Sequence, residues 1–298
     1  MTGTAAFVAA AATTFPNELV NFTADPRNPV FAGARAGHWD ERIRERGWIM
    51  FEDGAFHLWY TGYRGSDDAK KYLGYATSPD GYTWTRHGDG PIYSDHWVED
   101  MMVVRVGDTY FMFAEGERDQ AHLLTSKDLV HWKRQGVLEI RKLNGDLIAP
   151  GPFGTPAVLH ENGRWYLLYE RNDEAVWLAE STDALHWRHV QDEPVLTPGP
   201  DDYDRGMIAV NQIVKYQGKY YIYYHGLTPN TKPELWTTSI AASDDLLHWD
   251  KYAGNPIITT NNSSAVLLRV GEDFLLYTMH PDVCVFHSSQ ASTAKANK

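Results

Sequence analysis

One cysteine, Cys284, stands in 298 residues. No intramolecular disulfide can form, and neither a thiolate zinc cage nor a CxxC redox pair is open to the chain. Its setting, DVCVFH, reads as a buried strand in which the small sulfur side chain packs as core. Long hydrophobic runs are equally scarce: there is no stretch of about 18 apolar residues, so no membrane-spanning helix is expected. Positive charge is also short. With 27 Lys and Arg against 39 Asp and Glu, and no basic run, the chain lacks the potential that would hold a phosphate backbone, so no nucleic-acid partner is expected. The N-terminal MTGTAAFVAAAATTF has no basic segment ahead of its alanines and is not expected to act as a secretory signal. A soluble protein of cytoplasmic or periplasmic location is the expectation.

Aromatic residues, by contrast, are plentiful. The 11 Trp and 17 Tyr suit β-structure and also suit stacking against sugar rings. They recur in order. Ser-x-Asp-x-x-x-Trp appears four times, as SPDGYTW ending at Trp84, SKDLVHW at Trp132, STDALHW at Trp187 and SDDLLHW at Trp249. A Gly turn followed by an aromatic strand appears five times, with Gly54, Gly107, Gly163, Gly218 and Gly271 spaced 53, 56, 55 and 53 residues apart. A period near 50 residues, read as four short strands with no helical stretch between units, describes β-propeller blades. The expected fold is all-β: a five-bladed propeller of four-stranded antiparallel blades, one domain over residues 1–290. The last unit lacks its Trp turn, and residues 17–31, NELVNFTADPRNPVF, resemble the missing outer strand, with Phe22 in the Trp place. That segment is expected to complete the last blade and close the ring, since an open ring leaves an unpaired edge. Residues 291–298 read as a disordered tail.

The Gly turns serve as a ruler. A residue about seven before each Gly lies opposite one about seven after it, and both face the same end of the ring. This gathers Glu45, Arg46, Thr61 and Tyr63 from the first blade, Glu99, Asp100 and Glu115 from the second, and Thr155, Glu170 and Arg171 from the third. Asn211, Gln212 and His225 come from the fourth; Asn262, Ser263, Ser264, His280 and Asp282 from the fifth. Acids at these places within otherwise apolar strands are costly to desolvate unless paired or used. Inter-blade salt bridges would explain Glu45, Arg46, Glu170 and Arg171 singly; the whole ring points to a site at one mouth. The stretch HWDERIRERGWIM, residues 38–50, lies at that mouth. Asp40 and Asp204 each stand 14 residues before a turn Gly, which sets a shared structural role, an Asp–Arg brace, against a catalytic one for Asp40.

The blade rhythm, the segment VEDMMVVRVGDTYFMFAEG and YLGYATSPDGYTW resemble the five-bladed propeller glycoside hydrolases, in particular families 43, 32, 117 and 130, over almost the whole chain. VEDMMVVRVGD resembles the family 130 Glu-Asp-Pro-Arg and family 32 Arg-Asp-Pro segments, which places Asp100 at their site aspartate; YYHG around His225 also resembles family 130. The chain departs from family 43, with Gly47 where the first-blade aspartate stands and PFGTPAV where Glu-Gly-Pro stands. The resemblance implies a glycoside hydrolase, exo-acting, on an oligosaccharide or glycoside. One carboxyl would protonate the leaving oxygen and another activate water or attack the anomeric carbon. Asp40, Asp100 and Glu170 are the expected catalytic carboxyls, with Glu99 or Glu45 as further members. Arg46 and Arg171 would bind an anionic group, Trp39 and Tyr63 would form sugar platforms, and Thr155, Asn211, Gln212, His225 and His280 would complete substrate binding. His225 and His280 leave room for a central divalent cation with Asp282, although no metal-ligand spacing is present. Two alternatives remain: a family-130-like phosphorylase, and a non-catalytic sugar-binding propeller.

Overall fold

The computed structural model describes residues 13–289; the expected tail at 291–298 lies outside them. The described chain forms five small sheets arranged as a five-bladed β-propeller. The inner strands are Arg42–Glu52, Glu99–Val106, Gly154–Glu161, Met207–Tyr216 and Ser263–Val270, and they neighbour one another in cyclic order, the fifth meeting the first. No helix among the described residues is long and apolar enough to cross a membrane.

The repeated Gly turns do what their chemistry allows. Asp53–Gly54, Asn162–Gly163 and Gln217–Gly218 are two-residue loops with both φ angles positive, whereas Gly107 and Gly271 each take the first loop place at φ +63°. These are the two primed turns whose twist matches that of paired strands. The Asp-x-x-x-Trp element is a second kind of corner. In the second blade Asp128 Oδ1 accepts the backbone N–H groups of Val130 and His131, and Trp132 Nε1 donates back to Leu129 O. The third and fourth blades repeat this around Asp183 and Asp245. The Trp rings then join blades. Trp132 meets Trp59 of the first blade edge-on at 6.1 Å, and Trp187 meets Phe113 of the second at 6.0 Å.

The fifth sheet draws on both ends of the described chain. Phe22–Ala24 pairs antiparallel with Cys284–Ser288, Thr23 opposite His287. The segment expected as one strand is divided: Asn17–Val20 is a short helix whose Leu19 and Val20 are buried, and only Phe22–Ala24 adds to the sheet, with Phe31 bridged to Val283. Pro16 ahead of the helix and Pro29 after the strand confine the pairing to those few residues.

Four inner strands are irregular near the mouth. Pairing with the second strand slips between Arg44 and Trp48, Glu99 and Met102, Gly154 and Ala157, and Val210 and Gln212. Asp100, Thr155 and Ser264 hold φ of +45°, +42° and +59° at matching places in blades two, three and five. Bulged strands with left-handed non-glycine residues re-aim side chains and concentrate where a site is built.

Candidate active site at the funnel mouth

The bulges surround a cavity of about 600 Å³ at one end of the ring. Its lining includes Glu99, Asp100, Glu115 and Asp119 from the second blade and its following loop, Thr155, Glu170 and Asp173 from the third, and Asp67 and Glu234 at the rim. Eight carboxylates face one guanidinium, Arg44, and two imidazoles, His225 and His280.

Pairing brings the acids together. Glu99 lies opposite Glu115 across the first two strands of its blade, and Glu170 lies opposite Gly154. Gly154 is required there for a reason of space: a Cβ on it would fall 1.9 Å from Glu115 Oε2 and 3.0 Å from Glu170 Oε1. Two carboxyls therefore converge on the place a side chain would fill. Glu115 Oε2 accepts the Thr155 N–H at 3.0 Å, and Glu170 Oε2 accepts the Asp173 N–H at 2.6 Å. Glu99 Oε1 accepts Trp97 Nε1 at 2.6 Å, and Asp100 Oδ1 accepts the Arg46 backbone N–H at 3.0 Å.

Burial and like charge act in one direction. Burial raises the Glu115 carboxyl well above its ordinary value, helped by Asp100, Glu99 and Glu170. Burial, then the Asp173 charge, pushes Glu170 up to about 7. Glu170 can therefore hold a proton near neutral pH, as an acid catalyst requires. Glu99, Glu115 and Asp119 also present one oxygen each within 4.8 Å of one another, which is where a hard, oxygen-seeking cation could be held. A proton on Glu115 relieves the same repulsion. No such three-ligand group forms around His225, His280 and Asp282 among the described residues.

Several expected site residues lie elsewhere. Asp40 is buried outside the cavity lining, its Oδ2 accepting Arg86 Nε at 2.7 Å and Tyr60 Oη at 2.9 Å. Asp204 repeats the arrangement with Lys251 Nζ at 2.6 Å and Tyr224 Oη at 3.3 Å, so the brace reading describes both. Arg46 is fully buried below the cavity. Its Nη1 donates to the Asn211 and Val210 carbonyls and its Nη2 to those of Pro156 and Asp100, so it ties blade one to blades two, three and four. Burial lowers its pKa to about 10, which leaves a cation beneath Asp100 and Glu115 at neutral pH. Gln212 brackets Leu267 of the fifth blade, accepting its N–H at 2.6 Å and donating to its carbonyl at 3.0 Å. Asn211 is buried with its amide 2.9 Å from His225 Nδ1, and Arg171 holds the carbonyls of Ala149, Pro150 and Pro152. Trp39 stacks on Tyr60 at 5.9 Å. None of Asp40, Arg46, Gln212, Asn211, Arg171 and Trp39 lines the cavity. Tyr63 does, but its hydroxyl donates to Asp67 and the Lys71 ammonium lies 4.1 Å from its ring centre. The Glu45 side chain lies outside the described residues.

The lining adds groups beyond those expected: Asp119, Asp173, Arg44 and Trp236. Glu115 sits at a ruler position and was legible as a neighbour of Asp100; Asp119, Asp173 and Trp236 come from loops and a strand start that no periodicity marks.

The comparisons agree with this architecture. The glycoside hydrolase 130 family model, described as β-1,4-mannooligosaccharide phosphorylase, matches residues 49–233. A 1,2-β-oligomannan phosphorylase of Thermoanaerobacter sp. (strain X514) is 26% identical over 234 residues, covering 72% of this chain and 75% of the relative. Among solved structures, a glycosyl hydrolase of Bacteroides ovatus superposes with a TM-score of 0.77 at 15% identity, over 92% of this chain and 95% of that one. The β-1,2-mannobiose phosphorylase of Listeria innocua, in complex with β-1,2-mannobiose, superposes with 0.68 at 18% identity, over 90% and 96%.

Proposed function

From the premise that the chain belongs to glycoside hydrolase family 130, we propose that it cleaves a β-mannoside or a related oligosaccharide, and that water is the attacking group. The observation that carries the second half is the charge of the cavity, with eight carboxyl groups, two of them (Glu115 and Glu170) protonated in the scheme below, against one guanidinium and two imidazoles. A phosphate dianion about 6 Å from a single carboxylate meets a repulsion of roughly 5 kcal/mol at an effective dielectric near 20, whereas water meets none. Glu170 is the acid that protonates the leaving oxygen as the C1–O bond breaks. Asp100, oriented by the Arg46 N–H, accepts the proton that water loses as its oxygen bonds to C1. Glu115 stays protonated beside them and limits the negative charge at the floor.

Phosphorolysis is the second reading, favoured by the family's description and by the names of its relatives. Arg44, His225 and His280 would then carry the phosphate. The test is a product analysis with β-1,4- and β-1,2-mannobiose, with and without inorganic phosphate, beside Asp100→Asn and Glu170→Gln. Hydrolysis predicts free sugar in both buffers and a loss of at least about a hundredfold in each folded variant. Glycosyl phosphate formed only with phosphate present selects the second reading. Binding without turnover would make the propeller a sugar-binding module.

A further inference from the structure

The cavity is two-sided. Most of the carboxylates, those of blades two and three, form one side; Trp236, His225, His280, Ser263 and Ser264 of blades four and five form the other, with Glu234 and Asp67 at the rim. Trp236 is the single tryptophan in the lining. Its indole meets the His225 ring edge-on at 5.4 Å and leans on His280 at 6.5 Å, while Asn261 Oδ1 accepts its backbone N–H at 2.8 Å. A half-buried ring fixed from behind is preorganised for the apolar C–H face of a pyranose.

The height of Trp236 says which sugar. Trp236 pairs with Leu227 and thereby with Met207, the first residue of its inner strand, whereas His225 pairs with Ala209 and Thr238 two residues deeper. Two residues along a strand are about 7 Å. Glu115, Glu170 and His225 are each the seventh residue of their second strands, Thr109–Glu115, Arg164–Glu170 and Lys219–Thr228, so the carboxylate floor lies level with His225. Trp236 therefore stands above the floor, toward solvent, by about the length of one sugar ring.

We propose that Trp236 is the platform for the leaving-group sugar, the residue on the outer side of the bond that breaks. This rests on the hydrolase reading for its chemistry, with the floor holding the sugar whose C1 takes up the water oxygen. An indole at the mouth selects a ring with a continuous apolar face and is indifferent to charge, in contrast to the acid floor beneath it.

The experiment compares kcat/KM for the two mannobioses with kcat/KM for a mannosyl fluoride of matching configuration, which has no leaving-group sugar, in wild type, Trp236→Ala and Trp236→Phe. The expected result is that the ratio of disaccharide to fluoride falls roughly tenfold in Trp236→Ala, through KM more than kcat, and is largely restored in Trp236→Phe. A ratio unchanged in Trp236→Ala overturns the assignment. If no substrate turns over, mannobiose binding by calorimetry takes its place: weakening in Trp236→Ala with rescue in Trp236→Phe supports the platform though the hydrolase reading fails, and equal binding in all three overturns it.

Discussion

Glu170 is where local environment becomes chemistry, and its pH dependence has a definite sign. In its proposed role as proton donor it must be protonated, so kcat/KM should fall as pH rises through about 7. Stability runs the same way. The folded chain binds this proton more tightly than the unfolded one, so the contribution is fully present below the ordinary value of 4.5 and is lost as pH rises from there through about 7. Thermal melts across that window should show a decline that Glu170→Gln reduces; an unchanged slope would remove Glu170 as the buried acid. Glu170 and Asp100 were legible in the sequence because they fall at fixed distances from turn glycines. Arg46 falls eight residues before Gly54, within the same band, yet points into the molecule, tied to four carbonyls. The slipped pairing between Arg44 and Trp48 breaks the two-residue alternation on which the ruler depends.

At the scale of elements, the inner strand of blade three shows how a missing side chain shapes the site. Gly154 does not need a glycine-only φ, so Gly154→Ala should fold; its Cβ would meet the flexible end of Glu115. We expect a melting temperature close to that of wild type and a fall of at least about tenfold in kcat/KM, because misplaced catalytic groups are expensive. Activity equal to wild type would mean that the Glu115–Glu170 approach is incidental. The Asp40 corner makes the opposite case. Asp40→Ala leaves Arg86 and Tyr60 without their buried acceptor and should cost roughly 2–3 kcal/mol of stability. It should leave kcat within a few-fold of wild type, as judged by denaturant unfolding beside steady-state kinetics. A hundredfold loss of kcat in a stably folded Asp40→Ala would return that residue to the chemistry. Here the 14-residue offset shared with Asp204 already pointed to the brace, whereas the charge density of HWDERIRER pointed to a site.

For the whole molecule, the five-fold repeat made the fold readable across the described residues, since turn glycines mark all five blades and Trp corners mark four of them. The site was less readable because loops supply Asp119 and Asp173, and loops carry no period. Phe22–Ala24 completes the last blade by pairing with Cys284–Ser288. Removing residues 1–24 should expose the Cys284–Ser288 edge and give a lower, concentration-dependent melting transition with aggregation; a truncated chain as stable as the intact one would show that this strand is dispensable. Membership in family 130 accounts for the missing family 43 acids and leaves the attacking group as the central question. The direct measurement is NMR of the products from β-1,4- and β-1,2-mannobiose with and without inorganic phosphate. Free mannose released at the same rate in both buffers is the predicted result; mannosyl phosphate, formed only when phosphate is supplied, would contradict it.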